Sequence, residues 1–202
     1  MAINLANNNS LANITALPSS ISGGAMTLLA TQTASGSANL SFTSGIDDTY
    51  DSYVFKYISI HPSADATNLL INFSVDGGSN YNVTKTTTFF RAEHNPSNGN
   101  TELAYKTGED LAQSTSDQIL LRTFSTENDH AGCGVVQLFS PSNTTFVKHF
   151  ICDGNTIQHS NDVSSRNFVA GYGNTTSAID AVRFKMSSGN IDSGVIKLYG
   201  VS

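Results

Sequence analysis

Charge is the scarcest ingredient of this sequence: Asp, Glu, Lys and Arg make up 13% of its 202 residues, against roughly a quarter in ordinary soluble domains. Ser, Thr, Asn and Gly fill the difference and give a surface that hydrogen-bonds water without charge. The formal net charge is −6, with no basic stripe to displace counterions from phosphates, so no nucleic-acid partner is expected. No apolar run nears the roughly 20 residues that cross a bilayer as a helix, and no membrane partner is expected. The opening MAINLANNNSLANITALPSSISGG lacks a Lys/Arg n-region and a continuous apolar stretch. That predicts a chain made and kept in a cytosol, or released by lysis, rather than exported by a signal peptide. Sequons at Asn13, Asn72 and Asn174 are the chance product of so much Asn, Ser and Thr, and none is read as glycosylated.

Helical periodicity is almost absent too. From residue 26 onward, short apolar segments alternate with Gly, Ser, Asn, Asp and Pro clusters, the pattern of an all-β chain. Eleven strands are predicted, over 26–33, 38–43, 50–60, 68–75, 81–92, 118–124, 134–140, 145–151, 166–172, 179–186 and 194–200. Without crossover helices these call for two antiparallel sheets packed face to face, a β-sandwich of the jelly-roll kind, in a single domain over 25–202. In 179–186, alternation puts Val182, Phe184 and Met186 on one side and Ala181, Arg183 and Lys185 on the other, a half-solvated strand. In 50–60 both sides are apolar: Tyr53, Phe55 and Tyr57 lie on one, Val54, Ile58 and Ile60 on the other. Such a strand is either central in a sandwich or set at a subunit interface, and the Tyr53, Phe55, Tyr57 side is the candidate oligomer interface.

Local turn chemistry suggests three hairpins. Asp76-Gly77-Gly78 supplies the positive φ angles of a tight turn joining 68–75 to 81–92, and a lone Asp76 falls short of a calcium loop's ligand set. The loop 187–193 would fold 179–186 onto 194–200, with Phe184 facing Ile196. The loop SPSNTT over 140–145 would place Val135 opposite Phe150 and Cys133 opposite Cys152. The two cysteines are then neighbours, read as free thiols, with a disulfide as the alternative after release into oxidising surroundings. Both also sit in a His-x-x-Cys pattern, His130 with Cys133 and His149 with Cys152, which would suit zinc. Residues three apart on a strand point to opposite faces, however, so neither a metal nor a cofactor is predicted.

Catalytic motifs are missing. There is no Gly-x-Ser-x-Gly elbow, and GYGNTT at 171–176 lacks the third Gly of a dinucleotide fingerprint. Asp65, Glu93, Glu102, Glu109 and Asp110 could in principle pair for glycoside cleavage, but their predicted loop positions make solvated charges the default. Tyr81, Phe89 or Tyr172 could stack on sugar rings, though strand aromatics more often fill cores. Residues 1–24 form a polar segment in which Ile3, Leu5, Leu11, Ile14 and Leu17 are too sparse for a core. This is either a frayed terminus or an arm that docks on a neighbouring subunit.

Several stretches in order, MAINLANNNSLANITALP, FTSGIDDTYDSYVFKYISIHPSAD, FSVDGGSNYNVTKTTTFFRA, SNTTFVKHFI and AGYGNTTSAIDAVRFKMSSGNIDSGVIKLYG, resemble virion structural proteins of marine tailed bacteriophages, including phages of cyanobacteria. The resemblance runs nearly end to end. It implies a non-enzymatic β-sandwich component of the particle, a capsid decoration or a tail or fibre appendage, found in the virion after synthesis in the host cytoplasm. Other virion proteins would be its partners, in a homo-oligomer for which a trimer is favoured. The alternative is a receptor- or carbohydrate-binding module of a fibre or spike, contacting a host-surface glycan through loops at 93–116 or 153–166.

Overall fold

Runs rich in Val, Ile, Phe, Tyr and Thr form strands because branched and aromatic side chains pack well on a pleated surface. A computed structural model describes residues 26–99 and 101–202; the arm residues Ile3, Leu5, Leu11, Ile14 and Leu17 lie outside them. Twelve strands are present among the described residues: β1 (Thr27–Thr33), β2 (Leu40–Phe42), β3 (Ser52–Pro62), β4 (Thr67–Ser74), β5 (Lys85–His94), β6 (Thr101–Tyr105), β7 (Gln118–Phe124), β8 (Gly132–Phe139), β9 (Lys148–Ile157), β10 (Ser164–Gly173), β11 (Ala181–Met186) and β12 (Ile191–Val201). All eleven expected strands are there, and β6 is the addition. Thr-Glu-Leu-Ala-Tyr is half polar and borders one edge of its sheet, so it carried little strand signal.

The protein is an all-β sandwich of two antiparallel sheets. Eight strands run in the order β1-β12-β3-β8-β9-β10-β5-β6, and four run in the order β2-β11-β4-β7. The core lies between them. Phe42 of β2 and Phe184 of β11 close on Phe55 of β3 with ring centroids 5.4 and 5.5 Å away, and Phe73 of β4 meets Phe150 of β9 at 5.1 Å. A polar tie outside that core also joins the two sheets. Lys85 of β5 is fully buried and donates to Asn72 Oδ1 of β4 at 2.6 Å and to the Val83 carbonyl at 2.7 Å.

Sheet membership corrects two of the expected hairpins. β11 and β12 do not pair: Phe184 sits beside Leu40 and Ile71 in the smaller sheet, and Ile196 beside Gln32 and Tyr57 in the larger. Each strand has an apolar face, and both faces are buried by meeting across the core instead of side by side. β4 and β5 are likewise in different sheets. The Asp76-Gly77-Gly78 turn between them does form, with φ of 68° and 85° at the glycines. Asp76 is occupied by that turn: its carboxylate accepts from Asn80 N, Asn80 Nδ2 and Ser74 Oγ at 2.8, 2.7 and 2.7 Å. These bonds, with Asn80 first, pull its carboxyl down to about 2.

The third hairpin forms in a different register. β8 and β9 are neighbours, but Val136 opposes Cys152 and Cys133 opposes Asn155, three residues from the symmetric pairing. The connection consumes the difference: Asn143 Oδ1 accepts from Thr145 N and Phe146 N, and Lys148 Nζ turns back to the carbonyls of Asn143 and Phe146. An odd offset reverses facing, so Cys152 points into the core and Cys133 out. Both are free thiols, but they are not cross-strand neighbours.

The interface assigned to Tyr53, Phe55 and Tyr57 is also corrected. β3 is a central strand, and all three side chains are buried in the core of the single chain. Tyr53 Oη donates to Asp47, and Tyr57 Oη stands 3.3 Å from Cys152 Sγ. Ile60 is buried with them, because a bulge at Ser59 (φ 52°) breaks the alternation and leaves Ile58 outside. Gly194 opposite, at φ 119°, lets this happen: a Cβ there would come within 2.7 Å of the Ser59 carbonyl.

Candidate functional site

The outer faces of the two sheets differ in chemistry. On the smaller sheet, Asp117 bonds Lys185 at 2.7 Å and Arg183 at 3.1 Å, and Arg183 lies over the Tyr81 ring at 4.5 Å. Arg183 and Lys185 point outward and are half-buried, while Val182, Phe184 and Met186 are buried as alternation required; Ala181, expected outward, is buried as well, and so are Asn72 and Ser74 beside it on that face. The outer face of the larger sheet is different.

Strand pairing builds that face row by row. One row runs Lys56, Val135, Asp153, Phe168, Phe90, Tyr105 across β3, β8, β9, β10, β5 and β6. The next, two residues along each strand, runs Val54, Gln137, Ile151, Ala170, Thr88. A third carries Arg166, Ala92 and Leu103, and a fourth His149, Tyr172 and Thr86. The Phe90 and Phe168 rings stack at 4.7 Å and 12°, and Arg166 covers Phe168 at 4.7 Å while bonding Asp153 at 2.6 Å.

A trough results. Phe90, Phe168, Ile151, Val135 and Gln137 line a shallow depression of about 360 Å³. A second, of about 290 Å³, continues from it over Thr86, Thr88, His149 and Tyr172, with Ile151 and Ala170 shared. Phe90, Ile151, Tyr105 and Leu103 are 41%, 48%, 51% and 75% exposed. A solvated sheet face normally alternates to polar side chains. A contiguous apolar surface with a polar rim is the mark of something that covers it.

The other singled-out residues fall elsewhere. Phe89 is buried, while its neighbour Phe90 faces the trough; Tyr172 does reach it, and Tyr81 lies under Arg183. The five carboxylates each hold a partner. Glu93 is buried against Arg91 at 2.9 Å, and Arg91 also bonds Glu102. Hydrogen bonds from Lys106 and then Arg91 hold the Glu102 carboxyl below its usual range, and bonds from Thr126 do the same for Asp65. That is the opposite of what a general acid needs. Glu109 bonds Arg122, and Asp110 accepts from Tyr105 Oη at 2.5 Å. The two His-x-x-Cys pairs do not converge, since Cys152 faces the core while His149 stands outside beside Tyr172. Comparison of the chain with protein-family models, curated proteins and solved structures found no match.

Proposed function

We propose that this chain is a non-enzymatic structural protein of a tailed-bacteriophage particle, a jelly-roll sandwich that assembles with copies of itself through the trough face. The observation that carries the reading is the aromatic outer face of the eight-stranded sheet. Its most exposed members, Leu103 and Tyr105, sit on the edge strand β6. A second chain covering the trough would also meet the backbone edge of β6, which pairs with no further strand among the described residues, so one contact satisfies both. The end-to-end resemblance of the sequence to virion structural proteins points the same way, as does a surface poor in charge. Setting aside β5, β6, β9 and β10 leaves eight strands in the orders β1-β12-β3-β8 and β2-β11-β4-β7, which supports the jelly-roll reading.

In this reading the trimer favoured for phage appendages forms through the trough, and residues 1–24 attach it to the capsid or tail. Imaging the intact particle by cryo-electron microscopy tests the assignment. Density for this sandwich, with the trough against a neighbour, is the expected result; a particle that lacks the chain overturns it. Deleting residues 1–24 should abolish incorporation while the sandwich stays folded.

A second reading has its own observation. The stacked Phe90–Phe168 pair and Tyr172, flanked by Gln137, Thr86 and Thr88, resemble a platform for a sugar ring with hydroxyl partners at its rim. Saturable binding on a glycan array, lost in Phe90→Ala, would favour it over self-assembly.

A further inference from the structure

At one end of the sandwich the turn between β7 and β8 meets the turn between β9 and β10. They are pinned together by the Phe124–Gln158 bridge and by His159 N donating to the Thr123 carbonyl at 2.9 Å. The first turn closes with His130 N donating to the Glu127 carbonyl at 2.9 Å, which brings the side chains of Glu127 and His130 to one side. The second carries Asp162 toward the same point.

His130 is the unusual member. Its side chain is only 8% exposed, yet Nδ1 has no hydrogen-bond partner. Nε2 faces Glu127 Oε2 at 3.9 Å, Asp129 Oδ1 at 3.8 Å and Asp162 Oδ1 at 3.8 Å. These distances exceed hydrogen-bond range. Nε2, across the ring from the unpartnered Nδ1, looks onto three carboxylates without hydrogen-bonding any of them, which leaves room for a cation between them. The ligand atoms of Glu127, His130 and Asp162 all lie within 4.8 Å of one another. Two ligands about 2.1 Å from a tetrahedral ion stand roughly 3.4 Å apart, so the exposed carboxylates would close on Nε2 by about half an ångström and on each other by no more than about 1.4 Å, within reach of a side-chain rotation.

We propose that Glu127, His130 and Asp162, with Asp129 in reach, bind one first-row divalent ion of the zinc class. Imidazole with carboxylate oxygens suits such an ion better than calcium or magnesium, which take oxygen ligands alone. Bound there, the ion ties the end of β7 in the smaller sheet to the β9–β10 turn of the larger. It leaves a coordination position open to water or to a group from outside. His130 entered the sequence reading beside Cys133; the fold gives it carboxylates from two turns instead.

Calorimetric titration of Zn²⁺ into the tag-free, chelator-stripped chain tests this, with Ca²⁺ in parallel. The expected result is one equivalent of Zn²⁺ bound at least tenfold more tightly than Ca²⁺, together with a rise in the thermal midpoint. His130→Gln should weaken Zn²⁺ at least tenfold, whereas His159→Gln, at the separate His159–Asp65 pair, should leave it unchanged. Should His130→Gln fail to fold, the surface changes Asp162→Asn and Glu127→Gln carry the same expectation. Absence of saturable Zn²⁺ binding, or equal affinity in folded His130→Gln or Asp162→Asn, overturns the site.

Discussion

Replacing Gly154 with alanine is the sharpest probe of where Tyr57 points. Gly154 of β9 opposes Gly134 of β8, which opposes Tyr57 of β3, so the phenol lies across a pair of residues without side chains. A Cβ at Gly154 would overlap the Tyr57 hydroxyl oxygen and come within 2.9 Å of Leu121 Cδ2 and 3.0 Å of the Cys133 carbonyl. The ring is fully enclosed and cannot swing aside, so overpacking should cost about 2–3 kcal/mol. Tyr57→Phe alone forfeits the contact with Cys152 Sγ, worth about 1 kcal/mol. In the double variant the overlapping oxygen is gone, and every other atom near the new Cβ is at least 2.9 Å away. The two costs should therefore fall short of additivity by about 1–2 kcal/mol. Urea unfolding at one fixed protein concentration measures all four corners of the cycle through their midpoints. Strict additivity, or a neutral Gly154→Ala, would refute the packing described and return Tyr57 to the surface.

Other consequences follow from buried groups. Burial lowers the Lys85 ammonium from 10.5 to about 8. Between those values the unfolded chain holds a proton that the folded chain has shed, so stability rises with pH across that window and the penalty is complete below it. Wild type should gain about 2–3 kcal/mol relative to Lys85→Met between pH 7 and pH 11 in paired urea titrations; a constant difference contradicts a buried lysine. Cys152 is enclosed and its thiol is pushed up to about 12 by burial, while Cys133 is exposed. A disulfide-exchange reagent at pH 8 should titrate one thiol in the folded chain and two in denaturant, and two fast thiols would place Cys152 outside the core. Glu93→Ala leaves Arg91 without its buried partner, although Glu102 still holds the guanidinium, and should cost about 2–4 kcal/mol by thermal or chemical unfolding. A loss under 1 kcal/mol would show that pair to be incidental.

What was legible in the chain was local. Strand identity follows from branched and aromatic runs between turn residues, and Val182, Phe184 and Met186 face the core as their period of two demands. Sheet membership is not local. β11 and β12 carry compatible apolar faces, and two such strands satisfy each other equally well side by side or across a core; only the positions of β2, β3 and β4 decide. The β8–β9 register depended on Lys148 folding back to the Asn143 and Phe146 carbonyls, an interaction with no periodic signature. In β3 the alternation was visible, but the bulge at Ser59 that turned Ile60 inward was not. The trough was half visible: Phe89 and Phe90 must face opposite ways, yet which one faces out depends on the neighbouring strands, and Leu103 and Tyr105 lay in a stretch without strand signal. The cluster around His130 draws Asp162 from a turn on the other side of β8 and β9, beyond the reach of any spacing rule.

Sedimentation velocity of the purified chain at micromolar concentration, beside a Phe90→Glu/Leu103→Glu variant, tests the self-assembly claim most directly. The account predicts a wild-type oligomer, trimeric in mass, and a folded monomer for the variant, because two carboxylates placed on the trough face cannot be desolvated there. A wild-type chain that stays monomeric, or a variant that associates as well as wild type, would contradict it.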